Sequence, residues 1–538
     1  MASSKSAVKV LSRRSLLKVT GLTAAAAGLV TVAGCAPGAS SATAAPKVAT
    51  PRKGGTLTYA AAADIVTLDP QNIGDTVSVN TSMMIHEGLT RQNATLAYEP
   101  SLALSWEASG LTWTFKLRQG VKFHDGSAFD ANSVKFVFDR ILGPEATLRK
   151  GTWVPILDKV EVVDPFTVRF TTKYVDPIFP TRVSGNGATA ILSADAFKKF
   201  GKDIGRNPVG TGPFKFTEWV KDDHVTVERF DGYWGGAPLL DKVIVKPQPE
   251  AEARLISLEA GDMQLVIRLN PEHIQRVEGN KKLTLLRTDT LRHYYMGMAA
   301  LKKPYSDVRV RQALNYAIDK ESLVKNVLSG LGRVQGGLFP KGTPGFVDLP
   351  GFKYDPAKAK QLLADAGYPN GFTASFMATK GIYLKDFELA QAMQQMWKAV
   401  GVTINLDVVE NAKYLERLRE DPRKSTLEMW WDTLASGGES GPDYVINRFG
   451  CDKFRPVGSN TAGSCFPEID KLALPAQQEL DRSKSDAVMK TVQEMLSEQA
   501  PAVWLFSITQ LTGTSAKLHD PAIINELLTV TGKTWLEE

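Results

Sequence analysis

The chain has 538 residues, of which 43% are hydrophobic, which is typical of a globular protein with more than one core. Its 64 basic and 58 acidic residues give a formal charge of +6. Five basic residues and no acidic residue lie in residues 1–34, so the rest of the chain carries only +1. This balance gives no argument for nucleic-acid binding, and we predict none.

The N-terminal residues have the pattern of an export signal. Ser12–Lys18 (SRRSLLK) is similar to twin-arginine signals, and an uncharged apolar stretch follows from Val19 to Gly34. This stretch has the length of a signal-peptide apolar region and is short for a transmembrane helix, although an anchor helix is the alternative. Val32–Cys35 (VAGC) resembles a lipobox, which favours cleavage of the signal and lipid attachment at Cys35.

The residues after the predicted lipidation site have the composition of a linker. Residues 36–53 are mainly Ala, Ser, Thr, Pro and Gly, which cannot form a core and predict a flexible tether. We therefore predict a signal peptide at 1–34, a tether at 35–53 and a folded part from residue 54 onward. The protein is expected at the outer face of the cytoplasmic membrane or in the periplasm, anchored by lipid.

Helical and strand patterns mix along the folded part, which predicts an α/β protein. The 3.6-residue and two-residue periods of the apolar positions, together with capping residues, identify the individual elements. In chain order they are a strand at Leu111–Arg118, two helices within Ser306–Gly330, a helix between Asp355 and Gly367, a helix at Asp386–Val400, a strand at Val402–Val408, a helix at Ser485–Ala500 and a strand at Ala502–Phe506.

Two cysteines remain in the folded part. Cys451 and Cys465 lie in a compartment that permits disulfides, so we predict that they are bonded to each other. Two free thiols or half of a metal site are the alternatives. Because no second Cys or His cluster with ligand spacing lies nearby, we predict no metal site, and we predict no cofactor.

Several motifs occur in a specific order from about Gly54 to the C-terminus. They are Thr67–Pro70 (TLDP), Glu87–Leu89 (EGL), Gly120–Gly126 (GVKFHDG), Pro208–Phe214 (PVGTGPF) and Val308–Asp319 (VRVRQALNYAID). In this order they resemble the extracellular solute-binding proteins of ABC transporters, family 5, the peptide/nickel/opine-binding class. The resemblance implies a two-lobed clamshell of the type II-like kind with an extra subdomain.

The resemblance also implies domain bounds and a function. Lobe I would comprise 54–95, 205–297 and 505–538, the extra subdomain 96–204 and lobe II 298–504. The protein would bind a small solute, in the first place a peptide, between the lobes and deliver it to the permease subunits of an ABC importer. A non-peptide solute such as an oligosaccharide is the alternative, and we expect a monomer.

The second lobe contains the segments that match the family's cleft-facing strand and loop. These are Glu428–Asp432 (EMWWD) and Gly441–Tyr444 (GPDY). Aromatic side chains supply contact area, and a carboxylate can bind a ligand ammonium group. Since adjacent strand residues face opposite ways, at most one of the two tryptophans should face the cleft. The predicted ligand-binding residues are Tyr383, Trp430, Trp431, Asp432 and Asp443.

Two departures from the dipeptide-binding relatives weaken a dipeptide assignment. Those relatives often carry an arginine just before the tyrosine that corresponds to Tyr383, where this chain has Ile382. They also carry an aspartate at a position that Thr433 or Leu434 fills here, followed by a shorter loop. Lys380 or Glu439 is the candidate to supply a charge in place of these missing residues.

A secreted hydrolase is the main alternative of another class. The sequence has no credible G-x-S-x-G, H-E-x-x-H, S-x-x-K or P-loop motif. The neighbouring His124 and Asp125 lie between two glycines, which predicts a solvated turn more than a catalytic pair. A surface sensor or adhesin would need a kinase-linked span or a repeat array, and neither is visible. We therefore predict that the chain is not an enzyme.

Overall fold

A computed structural model describes residues 50–93, 97–144, 153–185, 188–343, 345–380, 383–435, 441–524 and 527–537. The chain divides into Met1–Thr50, of which only Thr50 is described, and Pro51–Glu538, which contains all the elements below. The predicted signal peptide, Cys35, Ile382 and Glu439 lie outside the described residues. None of the described helices has both the length and the apolarity needed to cross a membrane.

The strands are short except for two that exceed ten residues. They are β1 (Thr56–Ala61), β2 (Thr90–Gln92), β3 (Tyr98–Pro100), β4 (Ala103–Ser109), β5 (Thr112–Leu117), β6 (Leu157–Asp164), β7 (Thr167–Thr172), β8 (Phe214–Val220), β9 (His224–Arg229), β10 (Lys242–Pro247), β11 (Leu265–Leu269), β12 (Leu283–Met298), β13 (Gly332–Val334), β14 (Phe372–Ala378), β15 (Val402–Val408), β16 (Met429–Ala435), β17 (Ala502–Ser515), β18 (Leu518–His519), β19 (Ala522–Ile524), β20 (Leu527–Thr529) and β21 (Trp535–Leu536).

The helices are spread over the whole folded part. They are α1 (Thr76–Ile85), α2 (Ala131–Leu142), α3 (Phe179–Arg182), α4 (Ala194–Phe200), α5 (Ala251–Ala260), α6 (Ile274–Glu278), α7 (Val308–Tyr316), α8 (Lys320–Ser322), α9 (Pro356–Asp365), α10 (Asp386–Lys398), α11 (Asn411–Arg417), α12 (Gly441–Phe449), α13 (Pro467–Gln477) and α14 (Arg482–Gln499). Three 3₁₀ turns, Pro70–Asn72, Gly201–Arg206 and Pro271–His273, and one π turn, Leu323–Val327, accompany them.

The large sheet consists of two halves that two long strands join. The order of neighbours is β15-β14-β16-β12-β17-β11-β1-β10-β9-β8, and β13 pairs with β17 outside this path. We call β8, β9, β10, β1 and β11 the first half-sheet, and β14, β15 and β16 the second half-sheet. β12 and β17 are antiparallel to each other, and between them they pair with β11 of the first half-sheet and β16 of the second. The sheet is therefore continuous from one half to the other.

The long strands are irregular where the two halves meet. The register of β12 against β17 shifts between Asp289 and His293. Within this stretch the Thr290 hydroxyl donates to the carbonyl of Ile508 at 2.8 Å and accepts from the backbone N–H of Arg292 at 3.2 Å. A register shift of this kind is a β-bulge, so we call residues 290–292 the bulge; it interrupts the ladder between the two long strands.

A separate four-stranded sheet has the order β4-β5-β7-β6. Its buried aromatic residues share a core with α2, as Phe115 and Phe170 do with Phe138. A buried ion pair ties α2 to an early segment of the chain: Arg140 Nη2 lies 2.5 Å from Asp69 Oδ2. This contact gives Asp69 of the TLDP motif a structural role.

Helices cover both faces of the second half-sheet. On one face Trp431 and Phe376 share a core with residues of α7, α9 and α10. On the other face, Tyr295 and Trp504 of the adjoining strands pack with residues of α12 and α14. A sheet buried on both faces by helices is the α/β arrangement, so the predicted fold class is confirmed.

The predicted elements are present with one exception. The second of the two helices predicted within Ser306–Gly330 is replaced by the three-residue α8 and a π turn that follows it. In this turn the N–H of Leu328 donates to the carbonyl of Leu323, five residues earlier. Such a bond inserts one residue into a helical turn, and an i, i+3, i+4 pattern of apolar residues does not reveal it.

Candidate ligand-binding site

The carboxyl ends of three parallel strands lie at one edge of the second half-sheet. β14 is parallel to both β15 and β16. β14 and β15 end level with each other at Ala378 and Val408, and β16, whose Trp430 pairs with Met377, continues beyond them to Ala435. Open α/β sheets bind ligands outside the carboxyl ends of their strands. We call this edge the carboxyl edge, and we take it as the candidate site.

Tyr383 lies at the carboxyl edge with a fixed backbone. Its N–H donates to Asp386 Oδ2 at 3.2 Å, and the same carboxylate oxygen accepts from the hydroxyl of Thr379 at 2.8 Å. The ring packs edge-on against Tyr294 with the centroids 5.7 Å apart, and the Tyr294 hydroxyl accepts from the N–H of Leu384. Tyr383 is half-buried in this conformation.

Arg292 brings a guanidinium group to the same edge. Arg292 is the register partner of Ala435, the last residue of β16. Its Nη1 donates to the hydroxyl of Thr433 at 3.1 Å, and both side chains are half-buried. Sequence reasoning missed this residue, although a charged residue that interrupts an apolar strand is a signal that was available.

Asp443 joins α12 to a segment that lies 261 residues earlier in the chain. Its Oδ1 accepts from Arg182 Nη2 at 3.1 Å and from Gln477 Nε2 at 2.8 Å. Arg182 Nε also donates to Asp176 Oδ2 at 2.7 Å. Burial lowers the pKa of Arg182, but the two carboxylates outweigh it and hold that pKa above its usual range, so the guanidinium is charged. No sequence pattern indicated Arg182 or Asp176.

Burial raises the pKa of the Asp176 carboxyl. The attraction of Arg182 opposes this rise, and repulsion by the nearby Asp443 adds to it. Two carboxylates around one guanidinium leave this group of three one negative charge in excess when all are ionised. We call Asp176, Arg182 and Asp443 the charge cluster.

Trp430 and Trp431 are both in the interior, each 1% exposed. The Trp431 ring packs against Phe376 with the centroids 5.6 Å apart, on one face of the sheet. The Trp430 indole lies on the other face over Gly297, where a Cβ would come within 2.3 Å of the ring. The two side chains therefore alternate as expected, but neither is accessible in this conformation, and contact of either with a ligand stays a prediction.

Asp432 already has a cationic partner within the chain. Its Oδ2 lies 3.0 Å from Arg448 Nη1, and both residues line a cavity of about 20 Å³ together with Trp430, Ser459 and Thr461. This volume suits one water molecule and is too small for a peptide. The role of Asp432 as a ligand contact stays a prediction.

A disulfide links Cys451 and Cys465 beyond the end of α12. The loop that it closes is also held by Asn460, whose amide donates to the carbonyls of Gly450 and Ser464. The two cysteines are thus paired in the structure as the sequence predicts. In the described part of the chain, no three His, Cys, Asp or Glu residues are arranged to hold a metal ion.

His124 and Asp125 have separate partners. The His124 ring lies with Nε2 2.9 Å from the carbonyl of Gly212 and packs edge-on against Phe230. Asp125 instead accepts from the Ser193 hydroxyl at 2.6 Å. Burial lowers the pKa of His124 to about 4. The predicted turn is present and Asp125 is exposed in it, but the His124 ring is half-buried against Phe230.

Comparison with known proteins agrees with this architecture. Residues 97–454 match bacterial extracellular solute-binding proteins, family 5 Middle. The chain is 33% identical over 455 residues to the glutathione-binding protein GsiB of Pectobacterium atrosepticum, which covers 84% of this chain and 88% of that protein.

Two solved structures are similar over nearly the whole folded part. One is DppA, an ABC transporter-associated periplasmic binding protein from Helicobacter pylori in complex with peptide STSA, with a TM-score of 0.77, 25% identity, and coverage of 90% of this chain and 99% of that one. The other is the oligopeptide-binding protein AppA from Bacillus subtilis in complex with a nonapeptide, with a TM-score of 0.76, 25% identity, and coverage of 91% and 100%.

These similarities confirm the two-lobed α/β fold that the sequence predicts. The family match extends over more than half of the chain, and the GsiB relative exceeds 30% identity over most of both proteins. The chain belongs to the bacterial extracellular solute-binding proteins of family 5.

Proposed function

We propose that the mature chain is a membrane-tethered extracytoplasmic receptor that binds a small solute, in the first place a peptide, and delivers it to the permease subunits of an ABC importer. The observation that carries the proposal is the carboxyl edge itself. There, side chains from distant parts of the chain come together: Tyr383, between β14 and α10, contacts Tyr294 of β12, and Arg292 of the bulge contacts Thr433 of β16.

The chemistry of this edge suits a peptide. Peptides present amide groups and charged ends, which need hydrogen-bonding side chains and charges of both signs. The edge offers a guanidinium at Arg292 and hydroxyl groups at Thr433 and Thr379, and the charge cluster adds carboxylates on α12 and just before α3. The names of the relatives, which refer to glutathione, a tetrapeptide and a nonapeptide, support the same class.

The proposed ligand contacts are Tyr383, Trp430, Trp431, Asp432 and Asp443. Tyr383 is the best placed of the five because it lies at the carboxyl edge and is half-buried. Trp430 and Trp431 are buried, and the two aspartates are buried and paired with arginines. A lobe movement would release Asp443 from Arg182. Trp430, Trp431 and Asp432 are covered by segments of lobe II itself, so ligand contact by these three would require a rearrangement within that lobe.

The proposal extends to export and domain bounds. The twin-arginine leader at 1–34 would be cleaved before Cys35, and the lipid on this cysteine would hold the tethered protein at the membrane. With lobe I at 54–95, 205–297 and 505–538, the subdomain at 96–204 and lobe II at 298–504, the charge cluster would span the cleft between the subdomain and lobe II. A monomer suffices for this role.

The test is thermal stabilisation by defined solutes. A ligand stabilises the folded state by RT ln(1 + [L]/Kd), about 2.7 kcal/mol at a hundredfold excess over Kd. Glutathione, the peptide Ser-Thr-Ser-Ala, a nonapeptide and a maltooligosaccharide are the probes. We expect a peptide to raise the melting temperature, and we expect Tyr383→Ala to reduce that rise.

Tyr354→Ala is the matched control, since Tyr354 is 48% exposed and outside the edge. Recovery of the bound peptide without chemical change would agree with a receptor, whereas turnover would favour a hydrolase. If only the oligosaccharide stabilises the protein, the peptide assignment is wrong. If no probe does, the proposal loses its support.

A further inference from the structure

Hydrogen bonds through the Thr290 hydroxyl hold the backbone of Arg292 in place. Its N–H donates to the buried hydroxyl of Thr290, which in turn donates to the carbonyl of Ile508 on the neighbouring long strand. The bulge therefore fixes the Cα of Arg292 at the point where the two half-sheets meet. A side chain that starts from a fixed point loses less conformational entropy when it binds.

The guanidinium of Arg292 reaches the carboxyl edge. Its Nη1 lies 3.1 Å from the hydroxyl oxygen of Thr433, near the end of β16. Tyr294, two residues further along β12, points to the same face of the sheet and contacts Tyr383. A cation, a hydroxyl and an aromatic ring thus line one stretch of the candidate site.

We infer that Arg292, with Thr433 beside it, anchors a carboxylate of the solute. A guanidinium presents a planar fork of N–H donors that matches a carboxylate in two parallel hydrogen bonds, and the hydroxyl of Thr433 supplies a further donor. The ligand class is accordingly a peptide or related solute with a free carboxylate. This inference rests on the proposed function, of which it specifies the recognised group.

The variants that test it are Arg292→Ala, Arg292→Lys and Thr433→Val. Arg287→Ala is the matched control, since Arg287 lies on the same strand, is exposed and pairs with Glu278 at 2.7 Å. The probes are Ser-Thr-Ser-Ala as the free acid and as its C-terminal amide, together with glutathione. Calorimetric titration measures the dissociation constants, and the melting temperature of each ligand-free variant establishes that it is folded.

We expect the native protein to bind the free acid more tightly than the amide. Arg292→Ala should weaken binding of the free acid by roughly 10–100-fold, the loss of a charge-assisted hydrogen bond, and should bring the acid and amide to nearly equal affinity. Arg292→Lys should retain part of the preference, Thr433→Val should reduce it, and Arg287→Ala should leave it unchanged.

Two different failures are distinguishable. If Arg292→Ala keeps the native affinity and the native preference for the acid, the inference is overturned while the proposed function stands. If the native protein binds neither the peptides nor glutathione, the proposed peptide function fails, and the inference fails with it. If Arg292→Ala does not fold, the comparison of Arg292→Lys with the native protein, acid against amide, decides the question.

Discussion

Replacing Arg182 by methionine removes the cation between two buried carboxylates. The side chains of Asp176 and Asp443 are 2% and 6% exposed and lie 2.7 and 3.1 Å from the guanidinium. Removal of one partner from a buried ion pair costs roughly 3–5 kcal/mol, because the remaining charge stays buried. For a folded part of about 490 residues, an unfolding entropy of about 2.1 cal/mol/K per residue converts this cost to a melting temperature lower by roughly 3–5 °C.

Asp443→Asn is the matched variant. It leaves the pair of Asp176 and Arg182 intact, and the new amide can still accept from Gln477, so the expected cost is only about 1–2 kcal/mol. Scanning calorimetry of the ligand-free proteins at pH 7 compares the two. Arg182→Met should melt roughly 1–4 °C below Asp443→Asn.

The dependence on pH gives an independent check. Burial raises the pKa of Asp176 even beside Arg182, and loss of the guanidinium removes the attraction that opposes this rise. The folded variant then binds more protons than the unfolded one, so it gains stability relative to the native protein as the pH falls from 7 towards 5. If Arg182→Met melts no lower than Asp443→Asn, or if its deficit does not shrink at pH 5, the reasoning about the charge cluster is refuted.

Three further predictions concern other parts of the chain. Peptide mapping without reductant should recover Cys451 linked to Cys465, and Cys451→Ser should lower the free energy of unfolding by roughly 3 kcal/mol; free thiols in exported protein would contradict this. Cys35→Ala should be exported but released from the membrane fraction, whereas a variant that stays membrane-bound with an intact leader would indicate an anchor helix. Acidification from about pH 6.5 towards 4 should lower the melting temperature, because three histidines are neutral in the folded protein and bind protons in the unfolded chain. Each should lower the free energy of unfolding by up to about 1.4 kcal/mol per pH unit, and a melting temperature that does not change with pH would contradict this. Burial lowers their pKa to about 3 for His86, about 4 for His124 and about 4 for His293.

Elements defined by near neighbours in sequence could be predicted. Asp355 caps α9 by accepting from the N–H of Lys358 at 2.9 Å, and Pro356 occupies the first helical position. These interactions span four residues, so the sequence contains them completely. The family motifs likewise identified the fold, since they occur in the same order along the chain.

The candidate site depends on contacts between remote segments, which is why it was predicted only in part. Arg182 meets Asp443 across 261 residues, and no local period signals such a pair. The alternation along β16 correctly placed Trp430 and Trp431 on opposite faces, but it could not show that helices cover both faces. Arg292 escaped notice because the bulge that positions it arises from the pairing of two distant strands.

The measurement that tests the central claim most directly is native mass spectrometry of the folded protein exported by its own host and purified without denaturant. The account predicts a one-to-one complex with a small solute that carries a carboxylate. Unfolding of the protein should release this solute without chemical modification. Protein that carries no solute, and that takes up neither glutathione nor any of the offered peptides, would contradict it.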